Sequence, residues 1–147
     1  MNVKNFFPIV LIFFWSLTIS SVQLLAQEKV SIFNELSEFM EKFEKKCPDV
    51  AASFYALHDT IVNKKGILSI KEKELIALGI GISKRCKYCI YYHTARAMEN
   101  GASEEEILEA ASVAIYMGGG PAFSYIKYVI DALEEISAKE ESKNIGK

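Results

Sequence analysis

The chain has 147 residues, of which 50% are hydrophobic, and a formal net charge of −2 at neutral pH. This length and apolar content are typical of one folded domain with a buried core and argue against a disordered chain. Acidic and basic residues are interleaved and the basic ones form only short runs, so we do not expect a nucleic-acid-binding surface.

The first 27 residues are nearly free of charge: no charged side chain lies between Lys4 and Glu28. Lys4, the apolar stretch 6–26 and the small Ala26 before Gln27 fit a secretory signal peptide. The same stretch, at about 1.5 Å per residue, would also just span the roughly 30 Å hydrocarbon core of a bilayer, so a membrane anchor is the alternative. Either way, we expect an exported domain in the periplasm or outside the cell, touching the membrane only through this segment.

The rest of the sequence predicts an all-α fold, a compact bundle of about six helices, because apolar residues recur every three or four positions. The first helix is expected to begin after Ser31 and to end near Cys47. The second is expected over about 48–62, before the turn residues 63–66.

Two capping boxes, in which a serine is followed three residues later by glutamate, predict where the third and fifth helices begin. They are Ser69 with Glu72, and Ser103 with Glu106. The third helix is apolar nearly all round and is expected to be central. The fourth helix is expected over 86–100.

A glycine run followed by Pro121 predicts the end of the fifth helix, with the proline in the first turn of the sixth. The run lacks the Lys-Ser/Thr pair of a phosphate-binding loop and no strand precedes it, so we interpret it as a turn between helices. The helical domain is then expected over 28–138, followed by a charged, flexible tail over 139–147.

Two cysteines and a histidine define the candidate site. On a helix, Cys86 and Cys89 lie one turn apart and His93 lies four residues further, so all three line one face. A disulfide that closes only two intervening residues stabilises a fold little, which favours redox chemistry over a structural role. Thiolate formation would be favoured by the helix N-terminus, by the neighbouring basic side chains and by His93 acting as a base.

Two other interpretations of these residues remain open, an inert disulfide and a zinc site. Zinc would need a fourth ligand, Cys47 or His58, and three ligands on one helix face splay poorly into a tetrahedron. Cys47 is otherwise expected to be a buried thiol and His58 a surface or capping residue. We therefore predict a redox pair with no metal and no cofactor.

Four stretches together resemble the alkylhydroperoxidase D-like branch of the carboxymuconolactone decarboxylase superfamily. They begin at Glu74, at Cys86, at Gly101 and at Gly118, and the resemblance covers roughly residues 70–133. Its specific element is a glutamate followed by Cys-x-x-Cys-x-x-x-His. The resemblance implies an all-helical protein that assembles as a homotrimer or hexamer.

The resemblance also implies a role for each site residue. Cys89 would attack a hydroperoxide substrate, and Cys86 would resolve the product and exchange with a thiol reductant protein or small dithiol. His93 would relay the proton of Cys89, Glu74 would complete the relay, and the Tyr88 hydroxyl would orient it. The predicted function is an antioxidant thiol oxidoreductase. The alternatives are disulfide exchange on a partner protein and a non-enzymatic metal-binding or structural module.

Overall fold

The computed structural model describes residues 31–145, and the predicted signal or anchor segment lies outside them. In this range the chain forms six α-helices and no strand, which confirms the predicted all-α bundle. The helices are α1 (Ile32–Lys46), α2 (Pro48–His58), α3 (Ile70–Ser83), α4 (Lys87–Glu99), α5 (Glu104–Phe123) and α6 (Ile126–Ile145). None of the helices described here is both long and apolar enough to cross a membrane.

The predicted starts of α1, α2, α3 and α5 are present. The Ser31 side chain caps α1, and both capping boxes form, at the starts of α3 and α5. Each box satisfies two backbone N–H groups that a helix start leaves without a partner. Pro48 opens α2, where its missing N–H costs nothing, and α2 ends in a π-helical turn, Asp59–Asn63.

The end of the bundle differs from the prediction in two places. The backbone breaks at Gly119 (φ 64°, ψ −155°), and Pro121 lies in a short helical turn that follows the break. The predicted break and the place of the proline in the turn after it are confirmed, but the long sixth helix begins only at Ile126. Residues 139–145, predicted to be a flexible tail, continue α6, supported by a Lys139–Glu135 ion pair one turn apart.

The core lies where α3 packs against α4 and α5 and where α4 packs against α6. Its largest fully buried aliphatic side chains are Leu78, Ile82, Ile90, Ile107 and Val129. Burial of each such side chain stabilises the fold by about 1.5–3 kcal/mol. The predicted central place of α3 is confirmed for this face.

The opposite side of α3 remains open. Ile76 and Ile80 are about half exposed, and they border a shallow apolar groove with Val113 and Met117 of α5. A helix that is apolar nearly all round and is packed on two sides leaves an apolar face exposed to solvent.

Candidate active site

The turn between α3 and α4 delivers the two cysteines. The N–H of Cys86 donates to the Gly81 carbonyl and the N–H of Arg85 donates to the Ile82 carbonyl, both at 3.0 Å. This is a Schellman motif, which requires a left-handed residue and usually uses glycine. Here Arg85 takes that place, with φ 57°, and it is the one non-glycine residue with positive φ in the described chain.

Close packing of α3 against α4 then determines how near Cys89 lies to α3. A Cβ atom added to Gly81 would lie 3.2 Å from Cβ of Cys89. Such a distance is tighter than ordinary van der Waals contact, so the glycine allows the first turn of α4 to approach α3.

Cys86 and Cys89 form a disulfide, with their Cα atoms 5.2 Å apart, and both residues are half-buried. Cys86 is the N-cap of α4, and its sulfur accepts a hydrogen bond from the Cys89 N–H at 3.2 Å. After reduction, a negative charge on this sulfur would face the positive end of the helix dipole.

Glu74 and His93 form the second part of the site. Nδ1 of His93 lies 2.7 Å from Oε2 of Glu74, and the glutamate side chain is fully buried. The two residues meet because α3 and α4 run antiparallel, with Gly81 facing Cys89 at one end and Glu74 facing His93 further along. When Nδ1 donates to the carboxylate, Nε2 is left free to accept a proton.

Arg96, which was not predicted from the sequence, also borders the buried carboxylate. Its Nε lies 3.4 Å from Oε1 of Glu74, and its terminal nitrogens donate to Glu99 and Asn63, each at 2.9 Å. Burial by itself lowers the pKa of Arg96, but the hydrogen bond to Glu99 and the negative charge of Glu74 outweigh this and raise the pKa. Its position three residues after His93, on nearly the same helix face, was the available signal.

The structure places Tyr88 away from this pair. Its hydroxyl donates to Oε1 of Glu35 on α1 at 2.5 Å, and Nζ of Lys87 donates to the other oxygen at 3.2 Å. The bond to Glu35 and burial raise the pKa of Tyr88, whereas the two donated bonds lower that of Glu35. Five residues along a helix correspond to about 140° of rotation, so Tyr88 and His93 lie on different faces.

His58 lies closer to the site than the sequence suggested. It is half-buried and its ring packs edge-on against Tyr92 at 5.7 Å, while Tyr92 packs in the same manner against His93 at 5.1 Å. The Tyr92 hydroxyl lies 3.5 Å from Nε2 of His58. The prediction of a surface or capping role for His58 is therefore wrong. Cys47, predicted to be buried, is a half-buried free thiol.

The ligands considered for zinc do not assemble. Among residues 31–145, no group of three or more His, Cys, Asp and Glu side chains could hold a metal ion. Cys86 and Cys89 are bonded to each other, and Nδ1 of His93 is bonded to Glu74.

Solved structures of the same fold are similar over most of the described chain. A carboxymuconolactone decarboxylase family protein from Legionella pneumophila, solved in its apo form, is 36% identical with a TM-score of 0.66, covering 71% of this chain and 92% of that one. A family protein from Thermotoga maritima, for which a part in the antioxidative response has been suggested, is 29% identical with a TM-score of 0.66, covering 77% of this chain and 96% of that one.

Sequence comparison agrees with these structures. An uncharacterized protein of Cupriavidus necator is 33% identical over 73 residues, which are 50% of this chain and 65% of that protein, so this chain matches slightly less than two thirds of that relative. An uncharacterized protein of the cox locus of Paracoccus denitrificans is 34% identical over 84 residues, covering 57% of this chain and 75% of that protein. The sequence model of the carboxymuconolactone decarboxylase family matches residues 48–132, more than half of the chain. The chain therefore belongs to the carboxymuconolactone decarboxylase family.

Proposed function

We propose that this chain is a thiol-dependent oxidoreductase of the alkylhydroperoxidase D-like branch, which reduces hydroperoxides through a Cys86–Cys89 dithiol/disulfide cycle. The observation that carries the proposal is the half-buried disulfide at the start of α4, followed on the same helix by a His93 that is bonded to a buried carboxylate. The antioxidative role suggested for the Thermotoga maritima relative supports the same chemistry.

The cycle is balanced with two thiols for each peroxide. The Cys89 thiolate attacks one peroxide oxygen, the O–O bond breaks, and the departing alkoxide takes a proton and leaves as an alcohol. Cys89 is then a sulfenic acid, which the Cys86 thiol attacks to form the disulfide and release water. A dithiol, either a protein or a small molecule, reduces the disulfide through a mixed disulfide and is itself oxidised.

The residues around the pair handle the proton. His93 lies four residues after Cys89 on α4 and accepts the thiol proton at Nε2, because Nδ1 is held by Glu74. The buried carboxylate balances the imidazolium that forms, and Arg96 supplies the counter-charge when the imidazole is neutral. The proton is then available for the departing alkoxide.

A turnover assay with the purified chain, an organic hydroperoxide and excess dithiothreitol tests the proposal. Cys89→Ser should abolish peroxide consumption. Cys86→Ser, reduced and then freed of dithiothreitol, should consume one equivalent of peroxide and accumulate a sulfenic acid that dimedone traps. Cys47→Ser, which removes the free thiol outside the pair, is the matched control and should turn over as the parent does. Unchanged consumption by Cys89→Ser would refute the mechanism.

Disulfide exchange on a partner protein is the second candidate. It is favoured by the position of Cys86 at the N-cap and by Lys84 and Arg85 beside it, which are exposed and have no ion-pair partner among residues 31–145. This candidate predicts rapid reduction of a protein disulfide by the dithiol form with no consumption of peroxide.

Assembly and location complete the proposal. The open apolar groove between α3 and α5 would be covered in a homotrimer or hexamer, because a solvent-exposed face of this kind is costly in a monomer. Light scattering of the parent and of Ile80→Glu tests this, since the charge should reduce the assembled mass. N-terminal sequencing of the exported protein tests whether residues 1–27 are removed as a signal peptide or retained as an anchor.

A further inference from the structure

One carboxylate on α1 contacts both residues that separate the two cysteines. Oε1 of Glu35 accepts from the Tyr88 hydroxyl at 2.5 Å and Oε2 accepts from Nζ of Lys87 at 3.2 Å. The Lys87 ammonium also lies 4.5 Å from the centre of the Tyr88 ring. Glu35 thus holds the whole intervening segment of the Cys-x-x-Cys motif from outside its own helix.

The helix that carries Glu35 lies outside the family match, which begins at residue 48. α1 contributes no buried residue. Its Phe33 packs edge-on against the buried Tyr91, with ring centres 5.0 Å apart, and Ser31 donates a hydrogen bond to Glu135. Two of the few bonds that attach α1 to the bundle therefore end on the redox motif.

These bonds alter the charge beside the disulfide. The two hydrogen bonds lower the pKa of Glu35, so its carboxylate is ionised at neutral pH. Lys87 directly follows Cys86, and an unpaired ammonium there would stabilise a thiolate. Pairing with Glu35 offsets that charge. The other charged groups around the motif include the exposed Lys84 and Arg85 in the preceding turn.

We infer that Glu35 is a positioning residue that sets the redox equilibrium of the Cys86–Cys89 pair, an inference that rests on the proposed function. By neutralising Lys87 and holding Tyr88, it makes the thiolate less favourable and the disulfide more favourable. A dithiol pair becomes more oxidising when its reduced form is stabilised, so the effect of Glu35 is to make this pair more reducing.

The test is a redox titration of the full chain against glutathione at pH 8, with Glu35→Gln, Lys87→Gln and the double variant. Glu35→Gln should shift the equilibrium towards the dithiol by about threefold to tenfold, or about 15 to 30 mV at 29.6 mV per factor of ten. Lys87→Gln should shift it in the opposite direction, and the double variant should return close to the parent value. Glu38→Gln is the matched control, because Glu38 is an exposed carboxylate of α1 that pairs with Lys42, one turn further along the same helix.

A second measurement does not depend on glutathione. After reduction and removal of the reductant, the thiolate absorbance is followed against pH, and its midpoint should fall in Glu35→Gln and rise in Lys87→Gln. Equal results for Glu35→Gln and Glu38→Gln, or shifts of the same sign in Glu35→Gln and Lys87→Gln, would overturn the inference. Opposite signs could not arise from a general loosening of α1. A parent that passes this test but consumes no peroxide would instead overturn the proposed function.

Discussion

Replacing Arg96 by methionine should destabilise the protein more than an ordinary surface substitution, because it removes one of the two side chains that lie against the buried carboxylate of Glu74. Glu74 is completely buried, and the Arg96 side chain is 27% exposed. Removing one partner of a buried ion pair costs about 3–5 kcal/mol. Since Arg96 is not fully buried and His93 still contacts the carboxylate, we expect a loss of about 2–3 kcal/mol in the free energy of unfolding.

Urea denaturation of the disulfide-bonded protein measures this loss, and three variants show where it originates. Glu99→Gln removes an exposed partner of Arg96 and should lower the free energy of unfolding by about 0–1 kcal/mol. Arg96→Lys keeps the positive charge but not the planar guanidinium group, and its loss in the free energy of unfolding should lie between those of Arg96→Met and Glu99→Gln. A double-mutant cycle with Glu74→Gln should give a coupling energy of at least about 1 kcal/mol.

The same substitution should also slow peroxide reduction. Without Arg96, the Glu74–His93 pair loses the cation that borders it, and the orientation of His93 as acceptor of the thiol proton is less well fixed. We expect a loss of about tenfold or more in the rate of the first peroxide step. An Arg96→Met variant as stable and as active as Glu99→Gln would refute the reasoning.

Three further predictions follow from the backbone and from the α1 contact. Arg85→Gly should raise the free energy of unfolding by about 0.5–1 kcal/mol, because glycine adopts positive φ without strain. Gly101→Ala, at the equivalent turn with φ 85°, should lower it by about 1 kcal/mol. Urea denaturation of both variants measures the two changes. Gly81→Ala should lower the melting temperature of the oxidised protein, because Cys89 is held by its disulfide and cannot move away from the added methyl group. Reduction of the disulfide should restore part of the loss. A higher melting temperature in both the oxidised and the reduced protein would contradict this. The two hydrogen bonds of Glu35 lower its pKa from 4.5, so the stabilisation they give is present above pH 4.5 and is lost as the pH falls below that value. The free energy of unfolding should therefore fall less on acidification in Glu35→Gln than in the parent.

Helix positions were predictable because they depend on neighbours in sequence. The capping boxes of α3 and α5 need only residues three apart, and both are present as predicted. The start of α6 was not predictable from Pro121, because a proline in a first turn is compatible with a short turn as well as with a long helix. The continuation of α6 through residues 139–145 was not predicted, because a charged terminal stretch is as typical of a tail as of a solvent-exposed helix; the Lys139–Glu135 pair supports its start.

The site divides in the same manner. The sequence by itself predicted that Cys89 and His93 lie about one turn apart on one helix, because residues four apart on a helix share a face, and the structure adds that Cys86 is the N-cap of that helix. Only the tertiary structure decided that Arg96 borders Glu74 and that Glu35, rather than the Glu74–His93 pair, receives the Tyr88 hydroxyl. These contacts join residues on different helices. The packing angle and rotation of the helices depend on how the whole core is buried, and this information is not present in any local sequence pattern.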